Sequence, residues 1–364
     1  MKTRAMVCHA PGAPLVEEEL DLAPPGPGEV LIEIMASGLC HTDLMCRDQE
    51  YPLTFPAVFG HEGSGIVEKV GSKVTKLQAG DHVVLSYRAC GHCPACKRGD
   101  PTHCANIFGC NFAGVRADGS PTVTRDGNAL YANFFNQSSF ATYAIASEAN
   151  TVKVSKEAPL EYLGPLGCGI QTGAGAVINS LQPPAGSSIA VFGCGSVGLA
   201  AIMAAKAVGC TMIIGVDPME SRRNMALELG ATHVVDPTKG SSVEQVQKIS
   251  GSGVDYSLEC TAKPAVFRQA VDSLTVPGVC GLVGAAPLGT EVTLDMNSIM
   301  FGRTVFGIIE GGAVPDLFIP KLVELYRQGL LPLEKIVKFY SLDEIDQAVH
   351  DSESGKVVKA ILRP

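Results

Sequence analysis

The sequence has no excess of basic residues: 28 lysines and arginines stand against 37 aspartates and glutamates, for a net charge of −9. Proteins that bind nucleic acids or anionic membranes need a basic face that displaces counterions, so we expect neither partner. Internal repeats and low-complexity linkers are absent too. With 46% hydrophobic and only 18% charged residues, the 364-residue chain has a globular composition and enough length for two domains.

An apolar helix of membrane-spanning length is missing as well. Residues 162–205 carry no charge, but glycines and the pair Pro183-Pro184 break the stretch into pieces. Each piece is shorter than the roughly 20 residues that a span needs. Buried parallel strands joined by glycine turns show the same pattern, so we predict the interior of an α/β domain. Neither terminus shows a signal peptide or a lipidation motif, and we expect a cytoplasmic protein.

The pattern of strands and helices changes along the chain. Residues 1 to about 150 are rich in short strands and turns, predicted at 30–37, 65–70 and 81–87. From about residue 173, strands alternate with helices; the strands are predicted at 188–192, 212–216, 233–235, 255–259, 279–283 and 304–308. Helices are predicted at 198–208, 220–229, 318–328 and 342–352, with a last strand at 356–362. This order predicts an α/β fold with a β-rich, barrel-like domain and a doubly wound parallel sheet.

Four of the thirteen cysteines form a C-x2-C-x2-C-x7-C cluster: Cys90, Cys93, Cys96 and Cys104. Four thiolates at this spacing complete a tetrahedral shell with no position left for water, which is the pattern of a structural zinc site. An iron–sulfur cluster and a group of free surface thiols are the alternatives, although the usual iron–sulfur spacings differ. We do not expect disulfides, because the chain is long, has no signal peptide and has an odd number of cysteines.

A glycine motif follows the predicted strand at 188–192. It reads Gly193-Cys194-Gly195-Ser196-Val197-Gly198, opens a predicted helix, and is followed 19 residues later by Asp217 at the end of the next strand. In this context the motif predicts a dinucleotide site, where the backbone approaches a pyrophosphate at a helix N-terminus. Asp217 would accept hydrogen bonds from the ribose and repel a 2′-phosphate, which favours NAD. Arg222 and Arg223 keep NADP open, and a ligand-free turn is the remaining alternative.

Three further residues, Cys40, His61 and Cys168, are widely separated in sequence. Two cysteines and one histidine form a three-ligand set whose open fourth position can hold water or an alcohol. A single residue of these types is more often an ordinary buried side chain than a metal ligand, so the prediction of a metal site depends on the surrounding motifs. Residues 60–74 read G-H-E-x2-G-x5-G-x2-V and resemble the signature of zinc-containing alcohol dehydrogenases of the medium-chain family. The resemblance covers essentially the whole chain, with all the motifs in that family's order.

The resemblance implies a GroES-like catalytic domain formed by residues 1–169 and 310–364, and a Rossmann NAD-binding domain formed by residues 170–309. It also implies NAD and two zinc ions per subunit, one catalytic and one structural. Within the family, the segments most similar to aryl-alcohol (benzyl-alcohol) dehydrogenases are 40–44, 81–87, 137–141 and 164–175. Geraniol dehydrogenases share much of that pattern.

The same resemblance assigns roles at the catalytic centre. The catalytic zinc would be held by Cys40, His61 and Cys168. Glu62 would lie behind the zinc or act as an alternate ligand, Asp43 would hydrogen-bond His61, and Thr42 would take the alcohol proton. Many members end a proton relay with a histidine at the position of Met45, which cannot carry a proton. The relay would then run through Thr42, the nicotinamide ribose and water, or through His41.

Coenzyme contacts are expected from His41, Thr172, Gly193, Gly195, Ser196, Val197, Gly198, Asp217, Arg222, Val283, Ile308 and Lys359. Among these, His41 and Lys359 would face the pyrophosphate, and Thr172, Val283 and Ile308 would lie near the nicotinamide. The candidate walls of the substrate pocket are Thr42, Tyr87, Phe140 and Ile309. For the last three, ordinary core packing is the alternative.

The predicted function is hydride transfer between NAD and a primary aromatic or allylic alcohol, since zinc lowers the pKa of a bound hydroxyl and nicotinamide accepts hydride. Alternatives within the family are a broad-specificity, a geraniol-type and a glutathione-dependent formaldehyde dehydrogenase. A zinc-free reductase would lack the three-ligand set, and a non-catalytic nucleotide-binding protein would lack one of the ligands. We expect a homodimer through the sheet edge at 304–308, ahead of a homotetramer, because the insert between Cys110 and Phe140 resembles that of dimeric members.

Overall fold

The computed structural model describes all 364 residues, which form two compact units. The first unit comprises Met1–Cys168, Val314–Arg327 and Leu333–Pro364, and the second comprises Gly169–Ala313 and Gln328–Pro332. The chain thus returns to the first unit at residue 314 rather than at the expected residue 310. Residues 310–313 stay in the second unit because they pack closely there: a Cβ on Gly175 would lie 2.5 Å from the Gly311 carbonyl oxygen.

The strands are β1 (Lys2–Cys8), β2 (Leu15–Leu22), β3 (Glu29–Gly38), β4 (Ala57–Val58), β5 (Glu62–Val70), β6 (His82–Leu85), β7 (Val123–Arg125), β8 (Asn128–Leu130), β9 (Tyr143–Ser147), β10 (Thr151–Val154), β11 (Ser188–Phe192), β12 (Met212–Val216), β13 (His233–Val235), β14 (Val254–Glu259), β15 (Leu274–Leu282), β16 (Thr304–Gly307), β17 (Val337–Ser341) and β18 (Lys359–Arg363). The α-helices are α1 (His41–Arg47), α2 (Pro94–Lys97), α3 (Ile107–Asn111), α4 (Gly169–Gly175), α5 (Ser196–Ala207), α6 (Glu220–Leu229), α7 (Ser242–Ser250), α8 (Pro264–Asp272), α9 (Met296–Met300), α10 (Pro315–Arg327) and α11 (Ile345–Glu353).

Short helical turns complete the inventory. The 3₁₀ turns are Pro101–His103, Phe134–Asn136, Glu148–Asn150, Leu160–Tyr162, Gly164–Gly167, Pro237–Lys239, Glu310–Gly312, Leu333–Lys335 and Leu342–Glu344, and Ala176–Leu181 forms a π-helical turn.

The first unit contains two sheets. One has the strand order β4-β1-β2-β7-β8, and the other has the order β10-β6-β5-β3-β18-β17, with β9 also paired to β3. Strand β3 is covered on both faces, because Val30 and Ile32 lie in one apolar cluster and Leu31 in another. β18 pairs antiparallel with β3, so a strand that follows the whole second unit in sequence completes this sheet.

The second unit is built on one parallel sheet with the order β13-β12-β11-β14-β15-β16. This is the strand order of dinucleotide-binding domains, which reverses between β11 and β14 and binds its ligand beyond the carboxyl ends of those strands. The predicted doubly wound α/β fold is therefore confirmed. β15 begins at residue 274, five residues before the predicted start, because an irregular register follows the pairing of Val254 with Leu274.

The charge-free stretch at 162–205 is divided among short elements, including α4, β11 and α5, as expected for the interior of an α/β protein. The longest helix, α10, has only 13 residues, and the structure contains no helix able to cross a bilayer.

Candidate active site

The structure brings Cys40, His61 and Cys168 together in the first unit, with their ligand atoms all within 4.8 Å of one another. Cys40 precedes α1, His61 precedes β5, and Cys168 is the last residue before α4. Nε2 of His61 is buried and has no hydrogen-bond partner. An unpartnered buried nitrogen facing two thiols is the donor set of a three-ligand zinc site, so these residues fit the metal.

Asp43 fixes the imidazole of His61. Its Oδ1 lies 2.8 Å from Nδ1 of His61 and accepts a hydrogen bond from the Gly60 amide at 3.1 Å, while Oδ2 accepts from the Cys40 amide at 2.9 Å. Donation from Nδ1 to the carboxylate leaves Nε2 free for a metal. One carboxylate therefore holds the backbone of Cys40 and of Gly60, the residue before His61, and sets the ring orientation of His61.

The thiol of Cys40 is held in the form that binds metals. Its hydrogen bond with Cys168 lowers the pKa of Cys40 well below the ordinary range, and nearby His61 acts in the same direction although burial opposes it. Thiolates rather than thiols coordinate zinc. The electrostatics of the pocket therefore agree with its geometry.

Glu62 and Lys359 form a buried ion pair beside this site. Nζ of Lys359 lies 2.7 Å from Oε2 and 2.9 Å from Oε1 of Glu62, and it also donates to the Leu39 carbonyl at 3.0 Å. Burial raises the pKa of the Glu62 carboxyl, although the charge of Lys359 opposes that shift. Gly38 provides the space, because a Cβ there would lie 2.0 Å from Oε2. The role of Lys359 toward a pyrophosphate stays a prediction.

The four-cysteine cluster forms a second donor set, in the segment around α2. The sulfurs of Cys90, Cys93, Cys96 and Cys104 lie within 4.8 Å of one another, with Cys93–Cys96 at 3.5 Å and Cys90–Cys96 at 4.0 Å. Zinc bonded tetrahedrally to four sulfurs at about 2.3 Å places them about 3.8 Å apart. Hydrogen bonds from the amides of Cys96 and Ala105 lower the pKa of Cys93 to about 6. The cluster fits a structural zinc ion.

The remaining residues predicted for the catalytic centre lie on or near α1. Oγ1 of Thr42 is 3.9 Å from the sulfur of Cys40, so the hydroxyl lies next to one member of the candidate ligand set. His41 is the exposed first residue of the helix, whereas Met45 is buried. Of these residues, only His41 therefore offers a titratable group to solvent.

The residues predicted to line the substrate pocket lie in both units and differ in burial. Tyr87 and Phe140 are buried in an apolar cluster of the first unit, and Phe140 is fully inaccessible. Ile309 belongs to the second unit and is 47% exposed. Phe134 and Phe135, whose rings lie 5.5 and 4.4 Å from the ring of His61, were not among the predicted site residues. A sequence signal was present, since two consecutive aromatic residues stand one residue before the 137–141 segment that carried the resemblance.

The dinucleotide motif lies where β11 meets α5. Gly193 has φ of +94°, and a Cβ on Gly198 would lie 1.8 Å from the Gly193 carbonyl oxygen, so both positions require glycine. A Cβ on Gly195 would meet nothing within 4 Å, which leaves open space before the helix N-terminus that Ser196 begins. Asp217 accepts hydrogen bonds from the amides of Cys194 and Met219, both at 2.8 Å. The arrangement fits a bound dinucleotide.

The two arginines after Asp217 differ in the hydrogen bonds and ion pairs that they make. Arg223 donates to the Asp217 carbonyl at 2.7 Å and pairs with Asp236 at 3.0 Å. Arg222 is 7% exposed; burial lowers its pKa, while the charge of Asp217 opposes that shift. Thr172 lies on α4, and Val283 and Ile308 follow β15 and β16 in the same unit.

Comparison with known proteins shows the class of enzyme to which the chain belongs. Residues 26–156 match the model of the alcohol dehydrogenase GroES-like domain, and residues 196–327 match that of the zinc-binding dehydrogenases. The fold and both donor sets define a zinc-binding, NAD(P)-dependent dehydrogenase. Geraniol dehydrogenase of Castellaniella defragrans is 42% identical over 100% of this chain and 98% of its own length. The chain belongs to the zinc-type medium-chain alcohol dehydrogenase family.

Solved structures agree with this assignment. Benzyl alcohol dehydrogenase from Acinetobacter calcoaceticus has a TM-score of 0.96 and 47% identity, covering 100% of this chain and 99% of that one. An alcohol dehydrogenase zinc-binding domain protein from Burkholderia ambifaria has a TM-score of 0.98 and 52% identity with the same coverage. S-(hydroxymethyl)glutathione dehydrogenase of Escherichia coli is 35% identical over the full length of both chains.

Proposed function

We propose that this protein oxidises primary aromatic or allylic alcohols with NAD. The observation that carries the proposal is the similarity over the whole chain to a benzyl alcohol dehydrogenase and a geraniol dehydrogenase. An aromatic cluster adjoins the candidate metal site: Phe135 stacks on His61 at 4.4 Å, Phe134 meets it edge-on at 5.5 Å, and Phe112 contacts both phenylalanines. Phe134 and Phe135 are only 2% and 7% exposed, so the cluster supports His61 and does not offer an open surface to the substrate. Two of the relatives are named for a benzylic and an allylic alcohol.

The residues divide the work of the reaction. Bound zinc supplies a Lewis acid that lowers the pKa of the alcohol, and bound NAD supplies the hydride acceptor. The zinc would be held by Cys40, His61 and Cys168. Asp43 keeps Nε2 of His61 directed at the metal, and the hydroxyl of Thr42 takes the proton that the alcohol loses. An unsaturated group beside the carbinol gains conjugation with the new carbonyl, which makes benzylic and allylic alcohols easier to oxidise than ethanol.

The proton then leaves through His41 or through the nicotinamide ribose and water. Met45 is buried in α1 and has no titratable group, whereas His41 is exposed on the same helix. A His41→Asn variant separates the two routes. A flattened pH–rate profile is expected for the histidine route, and an unchanged profile indicates the ribose route.

NAD is the proposed coenzyme. Asp217 presents a carboxylate where the adenosine ribose of a bound dinucleotide lies, and this charge opposes a 2′-phosphate. Arg223 is already paired with Asp236, so it does not offer a free guanidinium to that phosphate. These two observations favour NAD over NADP.

Initial rates of coenzyme reduction test the proposal. Benzyl alcohol, geraniol, ethanol and S-(hydroxymethyl)glutathione are compared, each with NAD and with NADP. We expect benzyl alcohol or geraniol with NAD to exceed ethanol in kcat/KM by tenfold or more, which corresponds to about 1.4 kcal/mol in transition-state binding. Equal rates with ethanol indicate a broad-specificity enzyme. A preference for the glutathione adduct indicates the formaldehyde dehydrogenase alternative.

We also propose a homodimer formed through the outer edge of β16. The segment before this strand exposes three large apolar side chains, because Met296, Met300 and Phe301 are 86%, 69% and 68% accessible. Exposed apolar groups beside an unpaired sheet edge are typical of an interface. Light scattering at micromolar concentration distinguishes the dimer from the tetramer and the monomer. A cytoplasmic location remains our expectation, since all thirteen cysteines are free and suit a reducing compartment.

A further inference from the structure

Residues 134–138, which we call the brace, form a strained segment between β8 and β9. Phe135, Asn136 and Ser138 have φ of +48°, +54° and +52°, although none is a glycine. Side chains other than glycine adopt this conformation only where the surrounding structure compensates for its cost. Three such residues within four positions, next to a metal site, indicate a functional constraint.

Buried hydrogen bonds supply the compensation. Nδ2 of Asn150 donates to the carbonyls of Phe135 and Asn136 at 3.3 and 3.4 Å. The hydroxyl of Ser138 donates to the Val58 carbonyl at 2.7 Å. The brace is therefore held in one conformation from two directions, and its side chains occupy fixed positions.

Within the brace, Gln137 binds the backbone on both sides of Glu62. Its Oε1 accepts from the Gly63 amide at 3.1 Å, and its Nε2 donates to the His61 carbonyl at 2.9 Å. The ladder between β5 and β6 ends at the pairing of Ser64 with Val84, just short of these groups. The carboxamide thus makes the backbone hydrogen bonds that a neighbouring strand would otherwise make, and it fixes the backbone of β5 as far as His61.

The ring of His61 is fixed by the same segment. Phe135 stacks on it with an interplanar angle of 26°, while Asp43 holds Nδ1 at 2.8 Å. We propose that Gln137 and Phe135 are positioning residues for His61: Gln137 holds its backbone and Phe135 its ring plane. Together they slow metal release from the three-ligand site. The inference rests on the metal centre of the proposed function and not on the alcohol that the enzyme oxidises.

A Gln137→Met variant tests this role, because methionine matches glutamine in length and makes neither hydrogen bond. Zinc release into a chelating dye is followed on the full-length, zinc-loaded protein without substrate. We expect release from the three-ligand site to be about 10- to 100-fold faster, as for other partners of metal ligands. The four-cysteine site should release its zinc at the wild-type rate. Cobalt placed in the three-ligand site should show altered visible absorption bands.

Gln245→Met is the matched control, since Nε2 of Gln245 also donates to two backbone carbonyls, those of Asp236 and Gly240. It should leave both release rates unchanged. If Gln137→Met releases zinc from the three-ligand site at the wild-type rate, the proposal is overturned. It is also overturned if release becomes faster by the same factor at both sites, because that result indicates a general loss of stability. If Gln137→Met does not fold, Phe135→Leu decides: unchanged cobalt bands and release rate overturn the proposal. Because no substrate is present, a failed alcohol assignment leaves this test unaffected.

Discussion

Lys359 and Glu62 are 297 positions apart in sequence, and their side chains form an ion pair that is almost completely removed from solvent, with exposures of 2% and 0%. Removing one partner of a buried pair leaves the other charge uncompensated, which costs far more than the pair contributes. The integrity of the first unit therefore depends on a lysine from its last strand. This relationship leads to the first prediction.

Lys359→Met should destabilise the first unit by about 3–5 kcal/mol, because Glu62 would stay buried without its cation. Chemical unfolding measures the change in the free energy of unfolding. It is followed by far-ultraviolet circular dichroism, because the chain has no tryptophan to serve as a fluorescent probe. The double variant Lys359→Met with Glu62→Gln should recover much of the loss. Lys248→Met, at an exposed lysine of α7, should stay within about 0.5 kcal/mol of wild type. Equal effects of the single and double variants would contradict the ion-pair explanation.

Cys96→Ser should remove one of the two zinc ions per chain, because the four-cysteine site needs all its thiolates to close its tetrahedral shell. Elemental analysis should fall from two zinc ions to one, and the unfolding temperature should fall with it. Cys110→Ser changes a nearby cysteine outside the set and should keep both ions. Two zinc ions in Cys96→Ser would show that this cluster does not depend on Cys96 for binding.

Asp43→Asn should lower activity or zinc affinity by about 10- to 100-fold, the usual effect of losing a carboxylate partner of a metal-bound histidine. The amide introduces a donor beside the Cys40 and Gly60 amides, so the orientation of His61 is no longer enforced. Steady-state kinetics and zinc titration measure the two effects. Asp48→Asn, at a more exposed acid just beyond the same helix, serves as the control. Wild-type behaviour of Asp43→Asn would mean that His61 is oriented without it.

Asp351 should make the stability of the first unit fall in acid. Hydrogen bonds from Tyr340, Lys356 and Lys338 hold the pKa of this buried carboxyl far below its usual range. A depressed native pKa stabilises the fold above the unfolded value of about 3.9, and this contribution is lost as the pH falls below it. Asp351→Asn should melt a few degrees below wild type at pH 7, and the gap should narrow below about pH 4. Asp346→Asn, at an exposed position of α11, should show no such pH-dependent gap.

Asp217→Asn should raise the ratio of kcat/KM with NADP to that with NAD by about tenfold or more, because the charge that repels a 2′-phosphate is removed. Rates with both coenzymes at one alcohol concentration measure the ratio. Asp255→Asn lies at the other end of the sheet and should leave the ratio unchanged. If the ratio does not move, Asp217 is not the residue that discriminates between the coenzymes.

The parts of the fold that depend on local sequence were predictable. Strands β11, β12 and β13 have the bounds that their apolar patterns predict, because buried parallel strands and their glycine turns leave a strong local signal, and the polar helix α6 between them also has its predicted bounds. The two candidate ligand sets were predicted from cysteine spacing and a motif, and the structure brings the members of each set together. Both depend on residues close in sequence or on a recognised order of motifs.

Other features depend on contacts between distant residues and could not be predicted. The positive φ values of the brace are imposed by Asn150 and Val58, which a local pattern does not reveal. Lysine is ordinarily exposed, so the burial of Lys359 against Glu62 has no sequence signal. Phe140 was considered a pocket wall because it lies in a family-like segment, yet its ring is fully buried. Its role as a wall stays a prediction.

The pairing of β18 with β3 has a consequence for synthesis on the ribosome. Strand β3 emerges early, and β18 emerges only after the entire second unit has been translated. Until then the Ser37–Gly38 end of β3 lacks its partner strand, since β9 pairs only with Glu29–Glu33, and Glu62 lacks its cation. A chain that ends before β18 therefore has an open strand edge and an uncompensated buried charge, and an open edge favours aggregation. Cys40, His61 and Cys168 all precede the second unit, so a growing chain carries the three-ligand donor set long before Lys359 is made and can neutralise Glu62 beside it.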